Sequence, residues 1–390
     1  MIKKIIFSVV VALLTITMSQ AQGNDLIINS EIKLPKDSTI TSRLILDINN
    51  FLNQAYNDSE KNNWVPQSEK LKSSILLSEL FQISKYRNDG KKLKSYLNGV
   101  TPIRGGKYLI QISYIELTNN DSKLFALFEM IANRNGNSYD FSSTLSWNTR
   151  NWETKTEDYF TCYYDNNTKE VCDKYVMNSM RFDKMFENST KPQIIYFSST
   201  CNTLSQLLRL SGVLYHKDYN GLTWSMTDYY SSEGCVKLFT SLKNVDPYDI
   251  FRSCALKNIP SEERNWVMAC GAACFYAGEW GYNWTDIQNK FRTNFDYDAK
   301  TDWLTLYFNK RNFGDEKGKN LYVTYLINGL IVQDLEEKKG FSAVKELIAS
   351  GNMYKNKEQF FKILEKVTGI NESNFNKKIG KLIDGAMRKL

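Results

Sequence analysis

The chain has 390 residues, of which 42% are hydrophobic and 13% aromatic. This composition supports two or three packed domains and excludes a disordered or low-complexity protein. The formal net charge of +7 is small for this length and does not indicate nucleic-acid binding. His216 is the only histidine, which excludes the zinc enzymes that need two or three imidazole ligands. A nucleophile activated by histidine would have to use this residue.

The first 21 residues have the pattern of a secretory signal peptide. Lys3 and Lys4 precede an apolar run over residues 5–18, and the small residues Ser19 and Ala21 fit a cleavage site. The apolar run is shorter than the roughly 20 residues of a membrane-spanning helix. The pattern therefore predicts cleavage after Ala21 and a secreted or periplasmic protein, with no transmembrane segment in the mature chain.

Residues 24–168 are predicted to form an α+β domain with an antiparallel sheet. Apolar residues at helical spacing predict helices over residues 39–56 and from 66 to about 85. Alternating apolar residues then predict four strands, and the Asn135-Gly136 dipeptide predicts a tight hairpin between two of them. The order of elements resembles that of nuclear-transport-factor-2-like domains. The expected strands cover residues 108–114, 124–130, 139–147 and 152–164.

Export makes disulfides permissible, and the chain has seven cysteines. This odd number leaves at least one without an intramolecular partner. Cys162 and Cys172 flank a turn-like sequence, so a disulfide between them across a hairpin is one interpretation. Buried thiols that pack as small hydrophobic residues are the alternative.

Residues 173–390 are predicted to form a second domain, mostly helical, with a small mixed sheet at its start. The strands of that sheet are expected near residues 193–198, 222–226 and 235–239. From Asp246 onward the spacing of apolar residues is helical. Pro247 directly after Asp246 favours a helix start.

Residues 246–291 resemble the core of the gluzincin zinc peptidases, the peptidase MA-like group. In that family one helix carries H-E-x-x-H, and a following helix carries a glutamate zinc ligand in a sequence like N-W-(x)3-E-G-x-A. Here the second helix reads N-W-V-M-A-C-G-A-A from Asn265 to Ala273, with Cys270 in the place of the glutamate. The resemblance covers roughly residues 173–385 and implies a gluzincin-like fold.

The resemblance also implies that the zinc site has been lost. Arg252 and Leu256 stand in the places of the two histidines, Ser253 replaces the general-base glutamate, and Cys270 replaces the third ligand. Arginine is permanently cationic and repels Zn²⁺, and leucine has no donor atom. Serine cannot deprotonate a metal-bound water. We therefore expect no metal, no cofactor and no catalytic residue here.

Several aromatic residues fall near these positions and are candidates for lining the former substrate cleft. Core packing is the alternative role for each of them. The candidates are Trp266, Trp280, Tyr282, Trp284 and Tyr325.

These observations lead to the hypothesis of a secreted, non-catalytic pseudopeptidase that binds a peptide or a protein in the former cleft. One alternative is a degenerate but active hydrolase that uses an unrecognised centre or Cys270, with the pKa of its thiol lowered by Arg252. Another is a cell-surface structural or assembly component. An open cleft near Arg252 and Cys270 favours binding, whereas a cleft filled by Trp280 or Trp284 favours assembly.

Overall fold

The chain has a mixed α/β structure with two mixed sheets, and it divides into two compact units. The first unit runs to Lys169 and also contains Lys191–Leu242, while the second contains Glu170–Thr190 and Lys243–Leu390. No helix among the described residues is long and apolar enough to cross a membrane. The expected signal peptide and its cleavage site lie outside the described residues. The computed structural model describes residues 26–29, 31–118, 121–165, 167–188, 190–219, 226–240 and 246–390.

The first unit contains a six-stranded sheet. Its strands are β1 (Ile27–Ile28), β2 (Leu93–Ile103), β3 (Lys107–Leu117), β4 (Ser122–Asn135), β5 (Ser138–Ser143) and β9 (Val213–His216). Strands β2 to β5 are consecutive antiparallel neighbours, whereas β1 pairs in parallel with β2 and β9 pairs with β4. Asn135 pairs with Ser138 at the end of the hairpin, so Gly136 and Asn137 form the turn between β4 and β5, and Gly136 has a φ of 59°. The predicted hairpin is therefore confirmed, while β2 was not predicted.

A second sheet of five strands also belongs to the first unit. Its strands are β6 (Glu153–Glu157), β7 (Phe160–Tyr164), β8 (Gln193–Ser198), β10 (Met226–Ser231) and β11 (Gly234–Thr240). Strands β7, β8 and β11 pair in parallel, with β6 and β10 as antiparallel edges. Because β8 and β11 are hydrogen-bonded beside β7, residues 191–242 join the first unit. The sequence had assigned this mixed sheet to the second domain, and it had placed β6 and β7 in the meander.

The described residues of the first unit also form four α-helices, and buried polar side chains attach the two longest to β5. The carboxylate of Asp47 accepts a hydrogen bond from the backbone N–H of Tyr139 at 2.9 Å. The hydroxyl of Ser73 accepts one from the backbone N–H of Ser143 at 3.0 Å. The helices are α1 (Ser38–Asn57), α2 (Gln67–Asn88), α3 (Leu145–Asn148) and α5 (Leu204–Leu210).

The second unit is built from helices, and no strand occurs among its described residues. The side chain of Asp246 accepts a hydrogen bond from the backbone N–H of Tyr248, and Pro247 occupies the first turn. The predicted helix start is therefore confirmed. The helices are α4 (Lys169–Phe186), α6 (Pro247–Leu256), α7 (Trp266–Ala277), α8 (Trp284–Asn294), α9 (Trp303–Phe308), α10 (Val323–Lys339), α11 (Phe341–Ile348), α12 (Lys357–Thr368) and α13 (Phe375–Met387).

Helix α7 is buried over residues 267–274 and touches α10 at a glycine. A Cβ atom on Gly271 would lie 2.1 Å from the Cβ of Asn328 on α10. Asn328 is fully buried, its amide nitrogen donates to the carbonyl of Val267 at 2.9 Å, and its oxygen accepts from the hydroxyl of Tyr307 at 2.7 Å. These two bonds satisfy a buried amide that would otherwise destabilise the core. They also fix α10 and α9 against α7.

The Cys162–Cys172 disulfide proposed from the sequence is not formed. Cys172 is a free, buried thiol on α4. The chain leaves β7 at Tyr164 and enters α4 at Lys169. No second hairpin strand therefore places Cys172 opposite Cys162 on β7.

Replacement of Gly271 by alanine should destabilise the protein, because the added methyl group overlaps Asn328 and approaches the carbonyl oxygen of Tyr325 at 2.9 Å. Overpacking of this kind costs about 1–3 kcal/mol, so we expect the melting temperature to fall by several degrees in calorimetry of the chain without residues 1–21. The control is Gly385→Ala on α13, where a Cβ meets nothing within 4 Å. This control should be neutral or slightly stabilising. Equal melting temperatures for the two variants would contradict the close helix contact.

Candidate functional site

An open cavity of about 340 Å³ lies in the second unit beside α6, α7 and α10. Two cationic residues, Arg252 and Lys310, line it, and no carboxylate does so among the described residues. Its other walls combine aromatic rings with neutral polar groups. These other lining residues are Asn265, Trp266, Val267, Cys270, Tyr325, Asn352 and Tyr354.

Local capping positions the helices that line this cavity. The buried side chain of Asn265 accepts a hydrogen bond from the backbone N–H of Met268 at 3.0 Å, which begins α7. Its amide nitrogen donates to the hydroxyl of Ser350 at 2.9 Å. The next residue, Trp266, keeps 48% of its surface exposed. The cap therefore holds a large aromatic ring at the edge of the cavity.

Cys270 is 6% exposed and contacts polar groups from two other helices. Burial raises the pKa of its thiol, although hydrogen bonds with Tyr248 and Tyr325 and the charge of Arg252 lower it. Burial also raises the pKa of both tyrosines, so their hydroxyls stay neutral. Arg252 does lower the pKa of Cys270 as expected, but burial outweighs this effect, so the net pKa is raised and the thiol is not activated.

Arg252 is held mainly by aromatic rings. The guanidinium carbon lies 5.2 Å from the ring centroid of Tyr248 and 5.4 Å from that of Trp266, within the range of cation–π attraction. One of its terminal nitrogens lies 3.5 Å from the carboxylate of Asp249. The Nε atom is buried and has no hydrogen-bond partner among the described residues. Arg252 therefore retains an unused donor beside the cavity.

A buried carboxylate lies near this group without lining the cavity. The thiol of Cys274, one turn after Cys270, donates a hydrogen bond to Glu279 at 3.3 Å. Burial raises the pKa of Glu279 to about 7, although the bond from Cys274 lowers it. Two backbone hydrogen bonds between Glu279 and Tyr282 close the turn that carries this carboxylate.

Of the expected metal-site positions, the structure brings Arg252 and Cys270 together at the cavity. Ser253 is exposed to solvent, and Leu256 is buried away from the lining residues. Tyr248 is the second α6 residue that reaches Cys270. Tyr248 and Arg252 are four residues apart, as the two histidines of H-E-x-x-H are. The sequence interpretation did not single out Tyr248, because the two α6 positions that it compared with the histidines of H-E-x-x-H were Arg252 and Leu256.

The predicted aromatic residues divide into two groups. Trp266 and Tyr325 line the cavity, whereas Trp280, Tyr282 and Trp284 do not. The indole N–H of Trp280 donates to a backbone carbonyl, and that of Trp284 donates to a glutamine side chain. The hydroxyl of Tyr282 is hydrogen-bonded to a glutamate. Neither tryptophan of this second group fills the cavity.

Other lining residues were not predicted as site residues. Lys310, Asn352 and Tyr354 come from segments that follow α9 and α11. No sequence motif marks these positions, since each belongs to a connection between helices. Asn265 belongs to the stretch that resembles the peptidase family, but it was not predicted as a site residue.

No cluster of three or more histidine, cysteine, aspartate or glutamate side chains suited to a metal ion occurs within the described part of the chain. No protein-family model matches the chain, and no curated protein matches it. A functional assignment therefore depends on the chemistry of the cavity.

Glu279 should make stability depend on pH. Between its unfolded pKa of 4.5 and its folded pKa of about 7, the native state binds a proton that the unfolded chain has lost. Stability therefore falls as pH rises through this range, by about 3 kcal/mol in total at 1.36 kcal/mol for each pKa unit. Glu279→Gln still accepts from Cys274 but cannot ionise. We expect nearly equal melting temperatures near pH 4, where both states are mostly protonated, and a higher one for the variant near pH 8.

The matched control is Glu263→Gln, which changes an exposed carboxylate of the same unit. It should follow the wild-type protein at both pH values. A Glu279→Gln variant whose melting temperature differs from that of the wild type by the same amount at both pH values would disprove the buried, protonated carboxylate.

Proposed function

We propose that this protein is a secreted, non-catalytic relative of the gluzincin peptidases that binds a peptide or an extended segment of a protein. In this proposal the first unit has a nuclear-transport-factor-2-like fold, and the second has a gluzincin-like fold that carries the site. The observation that supports it best is the open cavity at Arg252 and Cys270. In this proposal Arg252 and Cys270 occupy two of the positions where the gluzincins bind zinc.

The absence of catalysis in this proposal is supported by the protonation states of the site. The pKa of Cys270 is raised by burial, so the thiolate needed for nucleophilic attack is scarce. Glu279 is a buried candidate base, but it accepts a hydrogen bond from Cys274 and does not line the cavity. His216 belongs to the other unit. These features favour binding over the hydrolase alternative.

Binding is supported by the shape and the composition of the cavity. Its volume lies within the range of about 300–1,000 Å³ that is usual for ligand pockets. Trp266, Tyr325 and Tyr354 offer aromatic surface, while Arg252 and Lys310 offer charged donors. Aromatic residues and arginine are the side chains that contribute most to binding energy at protein interfaces. Because Trp280 and Trp284 do not fill this cavity, an assembly role has less support.

A peptide-binding cavity should select peptides through Trp266. Random peptide libraries with free N-termini and with free C-termini can be selected on the chain without residues 1–21, and the affinities of the enriched peptides measured by fluorescence polarisation. Truncation of an aromatic anchor costs about 2 kcal/mol or more, so Trp266→Ala should weaken binding at least tenfold. The control is Trp280→Ala, because Trp280 is 44% exposed against 48% for Trp266.

The control should change the affinity less than about twofold, since Trp280 lies outside the cavity. Failure of both libraries to yield binders would refute peptide binding. Equal losses in the two tryptophan variants would show that the peptides bind elsewhere.

A non-catalytic protein should neither retain zinc nor cleave its ligands. After exposure to zinc and dialysis, elemental mass spectrometry should find a stoichiometry near zero. The enriched peptides should stay intact during prolonged incubation with and without zinc. A stoichiometry near one, or cleavage that Cys270→Ser abolishes, would instead support the hydrolase alternative.

A further inference from the structure

We propose that the cavity recognises the C-terminal carboxylate of its peptide ligand, with Arg252 as the residue that binds this carboxylate and Lys310 as a second cation beside it. This inference rests on the proposed peptide-binding function and names the group that the site selects.

Arg252 has the donors that such a role requires. A guanidinium carries five N–H groups in a planar fork that matches a carboxylate. Its Nε has no partner among the described residues, although the atom is buried. The side chain is 29% exposed, so a ligand can reach it. The rings of Tyr248 and Trp266 hold the guanidinium in place, which reduces the entropy lost on binding.

The charge around the cavity favours an anion. Asp249 is the one carboxylate within ion-pair distance of Arg252 among the described residues. Its oxygen lies 3.5 Å from a terminal nitrogen of Arg252, and its side chain is 67% exposed. Exposed pairs of this kind contribute little, so Asp249 leaves the charge of Arg252 largely available. Lys310 is exposed and forms no ion pair within the described part of the chain. Its ammonium lies 5.4 Å from the ring centroid of Tyr354.

The size and the walls of the cavity favour a chain terminus over an internal acidic residue. The volume of about 340 Å³ is near the lower limit for ligand pockets, so the cavity holds an end of a peptide more readily than a continuous segment. Trp266, Tyr325 and Tyr354 surround the cations with aromatic surface. In this arrangement the terminal carboxylate of a peptide can bind the two cations while an apolar side chain of its last residue packs against the rings. Carboxylate capture is an established mode of peptide recognition.

The test compares each enriched peptide as a free acid and as a C-terminal amide. Charge-assisted bonds are about twice as strong as neutral ones, so we expect the free acid to bind at least tenfold more tightly. Arg252→Met should remove most of the difference between the affinities for the acid and the amide, with Lys310 supplying the rest, and should leave the affinity for the amide unchanged. The control, Arg292→Met, changes an arginine on α8 that is exposed and hydrogen-bonded within its own helix. It should preserve both affinities.

Lys310→Met provides an independent variant, because an exposed side chain can be changed without disturbing the fold. It should weaken binding of the acid severalfold and reduce its dependence on ionic strength, since one charge pair is lost. Near-ultraviolet circular dichroism of Arg252→Met shows whether that variant keeps its native packing. If it does not, Lys310→Met decides the question.

The possible outcomes separate the two proposals. Equal affinities for acid and amide would overturn carboxylate recognition and leave peptide binding intact. N-acetylphenylalanine is tested as a competitor of the labelled peptide. If it displaces that peptide at the same concentration as the unlabelled peptide does, the ligand is a small carboxylate, and recognition of a peptide terminus is overturned. If no peptide binds in either form, both proposals fail.

Discussion

The close contact between α7 and α10 is the constraint on which the candidate site depends. Gly271 allows the two helices to approach at Asn328, and the buried amide of Asn328 holds them there. Cys270 adjoins the glycine, and Tyr325 lies one helical turn before the asparagine. The contact therefore sets the distance between the thiol and the hydroxyl that approach each other at the cavity. A larger residue at position 271 would separate α10 from α7 and widen that gap.

Burial determines the charge of the site. It raises the pKa of Tyr248, Cys270 and Tyr325, so these groups are neutral near pH 7. Arg252 keeps its charge, because a guanidinium does not lose its proton under these conditions. The permanent positive charge of the cavity thus comes from Arg252 and from Lys310. In the proposed relation to the gluzincins, a fixed protein cation has replaced a metal cation, which keeps attraction for anions without activating water.

The parts of the fold that short-range signals determine were predictable from the sequence. Asp246-Pro247 begins α6, and the Asn135-Gly136 signal marks the β4–β5 hairpin, whose turn residues are Gly136 and Asn137, because caps and turns depend on residues within a few positions. The grouping of residues 191–242 with the first unit was not predictable in this way. It follows from parallel pairing of β7, β8 and β11, whose partners are more than 30 residues apart. Periodicity gives the face of a strand but not its neighbour.

The site was predictable to the extent that helix geometry determines it. The family resemblance implied that Arg252 lies near Cys270, but Tyr248 and Leu256 are each one turn from Arg252 and both are buried. The apolar pattern of α6 cannot distinguish them, because the choice depends on where α7 crosses. Lys310 belongs to a connection between helices, where no periodicity applies. The cavity thus joins helical residues, which the family resemblance could locate, with a loop cation that it could not. A substitution at Lys310 therefore changes the charge of the cavity while the α6–α7–α10 packing that places Arg252 stays the same.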